Sequence, residues 1–204
     1  MTTRPLTLLL CLALAISAAA QTPQKVLNQA ISALKNAGAI TLNYAVKGTQ
    51  GNNSGAISLS GQRYALTSKE MKCWFDGKTL WTFSTATDEV NITTPTAGDL
   101  QMANPVAAAN DFKANYNMWK AAGQIAGHYA IMLRPKKAGT NIDQVFLYIN
   151  NTNHLPAKIH VKLNDKSAYT ISLTNYKTHQ NLPANTFTFD PAKVPAGTPV
   201  VDLR

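Results

Sequence analysis

The sequence predicts a mainly β domain: a strongly curved antiparallel sheet, or incomplete β-barrel, of about eleven strands with helices on its concave side. Three observations carry that reading. Short apolar–polar alternations recur at close spacing over residues 40–93 and again over 128–174. Residues 94–123 break the rhythm with two prolines and a helical spacing of aromatics. The 204 residues are 45% hydrophobic and only 14% charged, which excludes disorder and allows one domain with a real core.

Taken in order, residues 24–37 read as a helix, because Val26, Leu27, Ala30, Ile31 and Leu34 share one face and Gly38 can end it. Residues 40–46 alternate Ile40, Leu42, Tyr44 and Val46 with Thr41, Asn43 and Ala45, a strand pattern. The Gly- and Asn-rich residues 47–54 read as a loop. Strands follow at 55–60, with Ile57 and Leu59 on one face, and at 63–67, with Tyr64 and Leu66. Between Trp74-Phe75 and Thr79-Leu80-Trp81, the pair Asp76-Gly77 marks a hairpin, since Gly supplies the positive φ of a tight turn. Beyond the turn, Trp81 and Phe83 lie on one face, and Val90 and Ile92 share a face of the strand at 89–93.

In the interrupting stretch, Asp99 and Asn104 stand as helix N-caps, the second with Pro105 at the first helical position. Phe112, Tyr116 and Trp119 fall on one helical face. Four strands then return, with Ile131 and Leu133, Val145 and Leu147, Ile159 and Val161, and Ile171 and Leu173 on their apolar faces. A last short strand is expected at 186–190, followed by an extended tail ending Val200-Val201-Asp202-Leu203-Arg204. So many apolar strand faces could fill a packed core or line a hollow. Composition favours packing, and the number of strands favours a hollow.

Residues 1–20 read as a cleaved export signal: Arg4, an apolar run over residues 6–16, and Ala18-Ala19-Ala20 before Gln21. The expected mature domain is 21–204, exported from the cytoplasm. Leu10 precedes Cys11 where a lipid-attachment site would need a small residue, so no lipid anchor is expected. Cys73 is then the one cysteine of the mature chain and reads as a small buried hydrophobe in a strand. Loss of Arg4 takes the basic residues from 19 to 18 against 10 acidic, a net charge of +8. The cations are scattered singly apart from Lys136-Lys137, with no basic stripe of interleaved aromatics, so no nucleic acid is expected.

Several motifs carry a family resemblance. Asp76-Gly77-Lys78-Thr79-Leu80-Trp81, with Phe83 beyond it, resembles the hairpin of the LolA family of periplasmic lipoprotein carriers. The run Tyr129-Ala130-Ile131-Met132-Leu133-Arg134-Pro135 is similar to the family's strand ending in Leu-x-Pro, and Phe187-Thr188-Phe189-Asp190-Pro191 with the Val-Asp-Leu-Arg ending to its C-terminus. The resemblance implies a half-open barrel with a helical lid over an apolar cavity. It implies a chaperone that takes acylated lipoproteins from an inner-membrane ABC exporter to an outer-membrane acceptor, as a monomer without cofactor.

On that reading the acyl chains are expected against Leu42, Tyr44, Leu59, Tyr64 and Leu66 of the early strands, and Trp81, Phe83, Val90 and Ile92 after the hairpin. Ile131, Leu133 and Leu147 would complete the lining. The lid would use Leu100, Met102, Val106, Phe112, Tyr116 and Trp119. An Arg-Pro pair links sheet to lid in many members; the nearest candidate here is Arg63, with no proline after it. A periplasmic lipid shuttle or an envelope-stress sensor domain of the same fold is the alternative. An enzyme finds no support: His128, His154, His160 and His179 are dispersed, no metal-ligand spacing occurs, and Asp76 has turn chemistry.

Overall fold

The structure is a computed structural model and describes residues 21–204 apart from 50, 97, 101–103 and 124. The expected export signal, with Arg4 and Cys11, lies outside the described residues, as does Met102. The chain runs α1 (Pro23–Asn36), β1 (Ile40–Gly48), β2 (Gly51–Ser60), β3 (Arg63–Ser68), β4 (Met71–Phe75), β5 (Leu80–Ser84) and β6 (Glu89–Thr93). It continues through α2 (Pro105–Asn115), β7 (Tyr116–Lys120), β8 (His128–Pro135), β9 (Ile142–Asn150), β10 (Pro156–Leu163), β11 (Ala168–Lys177) and β12 (Val200–Asp202). Residues 98–100 are also helical.

All twelve strands form one curved sheet in the order β12-β6-β5-β4-β3-β2-β1-β11-β10-β9-β8-β7, which does not close into a barrel. Every pairing is antiparallel except β12 with β6. Hairpins therefore build each wing locally, and β1–β11 joins them at the centre. The Asp76-Gly77 turn forms as its sequence dictates: Asp76 Oδ1 accepts from the amides of Lys78 and Thr79, both at 2.8 Å, and Gly77 has φ 106°.

The helix caps are equally local. Thr22 Oγ1 accepts from Lys25 N, Pro23 opens α1, and Gly38 follows its end at φ 65°. Asn104 caps α2, accepting from Val106 N and Ala107 N. Asp99 is not a cap but the far half of one. Its carboxylate accepts from Thr96 N at 2.8 Å while Thr96 Oγ1 accepts from Asp99 N, a reciprocal capping box with Thr96 at the start.

The described residues form twelve strands, in line with the expected number of about eleven. Three other expectations are overturned. The predicted loop at 47–54 is mostly strand, because Asn52, Asn53 and Ser54 pair with Lys47, Val46 and Ala45 through backbone groups that need no strand-forming side chain. Tyr116 and Trp119 are not on a helix. The chain turns extended at Tyr116 to pair with Pro135 of β8, so the helical spacing ends at Asn115. Residues 184–187 form a short 3-10 turn where a strand was expected at 186–190, and the edge strand is instead Val200–Asp202 in the tail.

One face of the sheet bears the helices. Under α1, Val26, Leu27, Ala30 and Ile31 pack with Ile131, Leu133, Val145, Leu147 and Ile149. At its C-terminal end, Leu34 in the last turn and Ala37 just past it pack with Ile40, Leu42, Ile57, Leu59, Tyr64 and Phe75. A third cluster stands on the opposite face, where Trp74, Phe83 and Val90 lie under Phe189 and Val194 of the C-terminal segment.

Candidate functional site

The helix-bearing face is covered at both ends and half-open in the middle. One cross-strand row runs Ile131, Leu147, Ile159, Ile171, Val46 from β8 to β1. Ile131 and Leu147 are buried beneath α1, whereas Ile159, Ile171 and Val46 are only half-buried. The next row, Leu173 opposite Tyr44, is half-buried too, and so is Leu66 on β3. This half-buried aliphatic strip lies along the margins of the two core clusters, where side-chain alternation points apolar groups inward but no described helix completes the layer.

Glycines shape its floor. Gly55 stands opposite Tyr44, and a Cβ there would lie 1.9 Å from Thr67 O and 2.9 Å from the Tyr44 hydroxyl. Gly48 stands opposite Tyr169, whose Cβ a side chain would meet at 2.9 Å. Each tyrosine thus leans into space that a residue with a side chain would fill. At this end of the sheet a cavity of about 410 Å³ is lined by Val46, Leu163 and Tyr169, with Asn52, Asn53 and Glu70 at its polar side. Asn53 Nδ2 donates to Glu70 Oε2 at 3.3 Å across that side.

A second hollow, about 370 Å³, lies under the start of α2 among Leu34, Ile40, Leu59, Val106 and Asn110. Asn104 holds the helix over it. Its Nδ2 donates to the carbonyl of Gly61 at 3.1 Å while its Oδ1 caps α2, so one buried side chain joins helix to sheet turn. Leu100 and Val106 rest on the cluster around Tyr64 and Phe75. Phe112 and Tyr116 meet edge to face at 5.2 Å against the α1 cluster, although only Phe112 is helical.

Burial sets the electrostatics of this face. It pushes the Tyr64 phenol up to about 12, with smaller contributions from Cys73 and Asp99. It also raises the Cys73 thiol, partly offset by a hydrogen bond with Thr82, so Cys73 is a buried, protonated, free thiol. Among the described residues no group of three His, Cys, Asp or Glu is placed to hold a metal.

The structure divides the residues singled out in the sequence. Leu42, Tyr44, Leu59, Tyr64, Leu66, Ile131, Leu133 and Leu147 stand on the helix-bearing face. Trp81, Phe83, Val90 and Ile92 do not. Trp81 pairs with Trp74 and Ile92, and Phe83 with Val90, on the outer face under the C-terminal segment. Trp119 is also on the outer face, paired with Met132 and 45% exposed. Among the described residues Arg63 makes no hydrogen bond to a helix. Its guanidinium lies 4.9 Å from the ring centre of buried Phe187 and donates to Ser60 Oγ, so it ties β3 to the C-terminal segment. A link between helix and sheet turn is made by Asn104, whose Asn-Pro cap was visible in the sequence although its second partner was not. Val46, Ile159 and Ile171 were not singled out in the sequence, although they stand half-buried on the same face; alternation gave that face but not how far the described helices extend over it.

Solved structures share this architecture at low identity. A conserved protein from Thermus thermophilus is 10% identical, with a TM-score of 0.61 over 88% of this chain and 98% of that one. A LolA superfamily protein from Nitrosomonas europaea is 15% identical, with a TM-score of 0.44 over 83% of this chain and 99% of that one. The MucA/MucB complex of Pseudomonas aeruginosa includes a chain 10% identical, with a TM-score of 0.46 over 84% of this chain and 62% of that one. The first score marks a shared fold; the other two add nothing to it. No protein in the curated comparison matches the sequence. The family profile described as outer membrane lipoprotein carrier protein LolA matches residues 14–165, about three-quarters of the chain, and the protein belongs to that family.

Proposed function

We infer that the protein is a periplasmic carrier that shelters the acyl chains of lipoproteins between the inner membrane and the outer membrane. One observation supports this reading above others: the half-buried row Ile159, Ile171, Val46 with Leu173 and Tyr44 beside it, an apolar strip that the described helices leave half-open. Each buried CH₂ contributes roughly 0.8 kcal/mol, so acyl chains seek such a surface strongly. A carrier must also let go. Leu100, Val106 and Phe112 already pack on the sheet clusters, and their return on release would offset part of the binding energy. On this reading residues 1–20 export the chain, cargo arrives from an inner-membrane ABC exporter, and an outer-membrane acceptor receives it.

The reading is tested by isolating the protein from a bacterial envelope without detergent and offering it an acylated lipoprotein or the same polypeptide lacking its acyl chains. Capture of the acylated form alone, lost at least tenfold on Ile171→Asp, is expected. Capture of free phospholipid but no lipoprotein would move the assignment to a lipid shuttle. Equal capture of both polypeptides would point to protein recognition of the kind a stress sensor needs.

A further inference from the structure

The outer face of the other wing carries a second apolar surface. Trp119, Met132, Phe146 and His160 form one cross-strand row from the edge strand β7 to β10. Trp119 is 45% exposed, and Met132, Phe146 and Tyr148 are half-exposed. Cations flank the row on both sides. Lys158 is paired with Tyr148, Lys162 is paired with Gln144 and sets its ammonium 5.4 Å from the Phe146 ring centre, and Arg134 is paired with Asn117 beside Trp119. These rows contain no carboxylate.

The charge of the chain is concentrated on the same wing. Residues 37–104, which hold β1 to β6, have five basic and five acidic residues. Residues 105–177, which hold α2 to β11, have nine basic and three acidic. A second copy of the chain is therefore a poor partner for this face, because it would bring the same excess of cations. An anionic bilayer is complementary in both respects. Trp and Tyr rings settle at the headgroup level, long basic side chains extend to lipid phosphates, and the outer edge of β7, which pairs with no other described strand, stays in water at the rim.

We propose that Trp119, Met132 and Phe146, ringed by Arg134, Lys158 and Lys162, form a docking surface for anionic membrane. The acyl-binding strip is on the opposite face of the sheet, so docking holds the protein at a bilayer without covering the groove.

The test is sedimentation of the protein, purified as exported from an envelope, with vesicles of phosphatidylcholine containing one-third phosphatidylglycerol, and with phosphatidylcholine alone. The protein is expected to pellet with the anionic vesicles and not the neutral ones, less so as salt is raised. Each cation near such a surface contributes about a fivefold effect, so reversing Arg134, Lys158 and Lys162 to Glu should weaken binding by roughly a hundredfold or more. Arg134→Ala with Lys162→Ala, both exposed positions, gives a milder variant whose folding is not in question and should weaken it by about twentyfold. Trp119→Ser should cost about tenfold while leaving circular dichroism unchanged. Equal pelleting with both vesicles, or by the charge variants and the native chain alike, would overturn the proposal. So would retention on polyglutamate equal to that on vesicles and indifferent to Trp119→Ser, which would assign the face to an acidic protein. Uptake of lipid into the groove leaves the protein in the supernatant, so loss of docking and loss of cargo binding read out separately.

Discussion

Trp74 on β4 and Trp119 on β7 both stand on the outer face of one sheet, yet Trp74 is 6% exposed and Trp119 45%. Both have apolar cross-strand neighbours, Trp81 and Ala65 for the first and Met132 for the second. The difference is cover. Over Trp74 the chain lays its own C-terminal segment. Phe189 packs at 5.7 Å, Lys193 sets its ammonium 5.7 Å from the ring and donates to the carbonyls of Asn185 and Thr188, and Lys72 donates to Lys193 O. The parallel pairing of β12 with β6 closes the edge beyond. Over Trp119 the described chain lays nothing, and the residues around it are cationic. An apolar strand face becomes core or contact surface according to what the chain can fold back over it, not according to its own composition.

The sharpest way to break that contrast is to truncate each tryptophan. Trp74→Ala should cost about 3–5 kcal/mol, as for other buried aromatics. Trp119→Ala should cost under about 1 kcal/mol, as expected of an exposed site. Urea unfolding measures both, and equal losses would mean that the two faces are not different in kind.

A smaller effect probes the helix-bearing face. Asn104→Ala removes the α2 cap and the bond to Gly61 together, and about 1–2 kcal/mol should be lost. Hydrogen exchange should quicken in α2 and at the β2–β3 turn while the outer clusters stay protected. Uniform quickening would show that the helix is not separately hinged.

The smallest effect is the dependence on pH. Burial raises Tyr64 to about 12 and lifts Tyr116, Tyr169 and Tyr176 above their usual value of 10.0. The folded chain then keeps protons that the unfolded chain releases. Stability is therefore fully present below pH 10 and declines as the pH rises toward 12. Ultraviolet absorbance should show these tyrosinates appearing later than in free tyrosine, together with loss of circular dichroism; early ionisation with the fold intact would count against burial as its cause.

Much of this was legible in the residues. The α1 face, the Asp76-Gly77 hairpin, the Asn104-Pro105 cap and the alternations at β1, β3 and β8 to β11 are local properties, and they form where local physics puts them. Four features were not legible, for a common reason. Residues 51–54 become strand through backbone pairing with β1, and Tyr116 leaves the helix because β8 offers it partners. Val200–Asp202 becomes an edge strand because β6 lies open beside it. Trp81, Phe83, Val90 and Ile92 look like cavity lining until they are seen to share the outer face, where Phe189 and Val194 pack with the first three. Each depends on a neighbour distant in sequence, and alternation says which residues share a face without saying which face, or what lies over it.

The central claim is that cargo lies on the half-covered strip of the helix-bearing face and on neither outer patch. A photoreactive residue placed at Ile171 or, separately, at Phe146 tests it with a lipoprotein carrying labelled acyl chains. Crosslinking of the label from position 171 and not from 146 is the result expected. Label captured at 146 with none at 171 would contradict the account, and would make the bare outer face the cargo site.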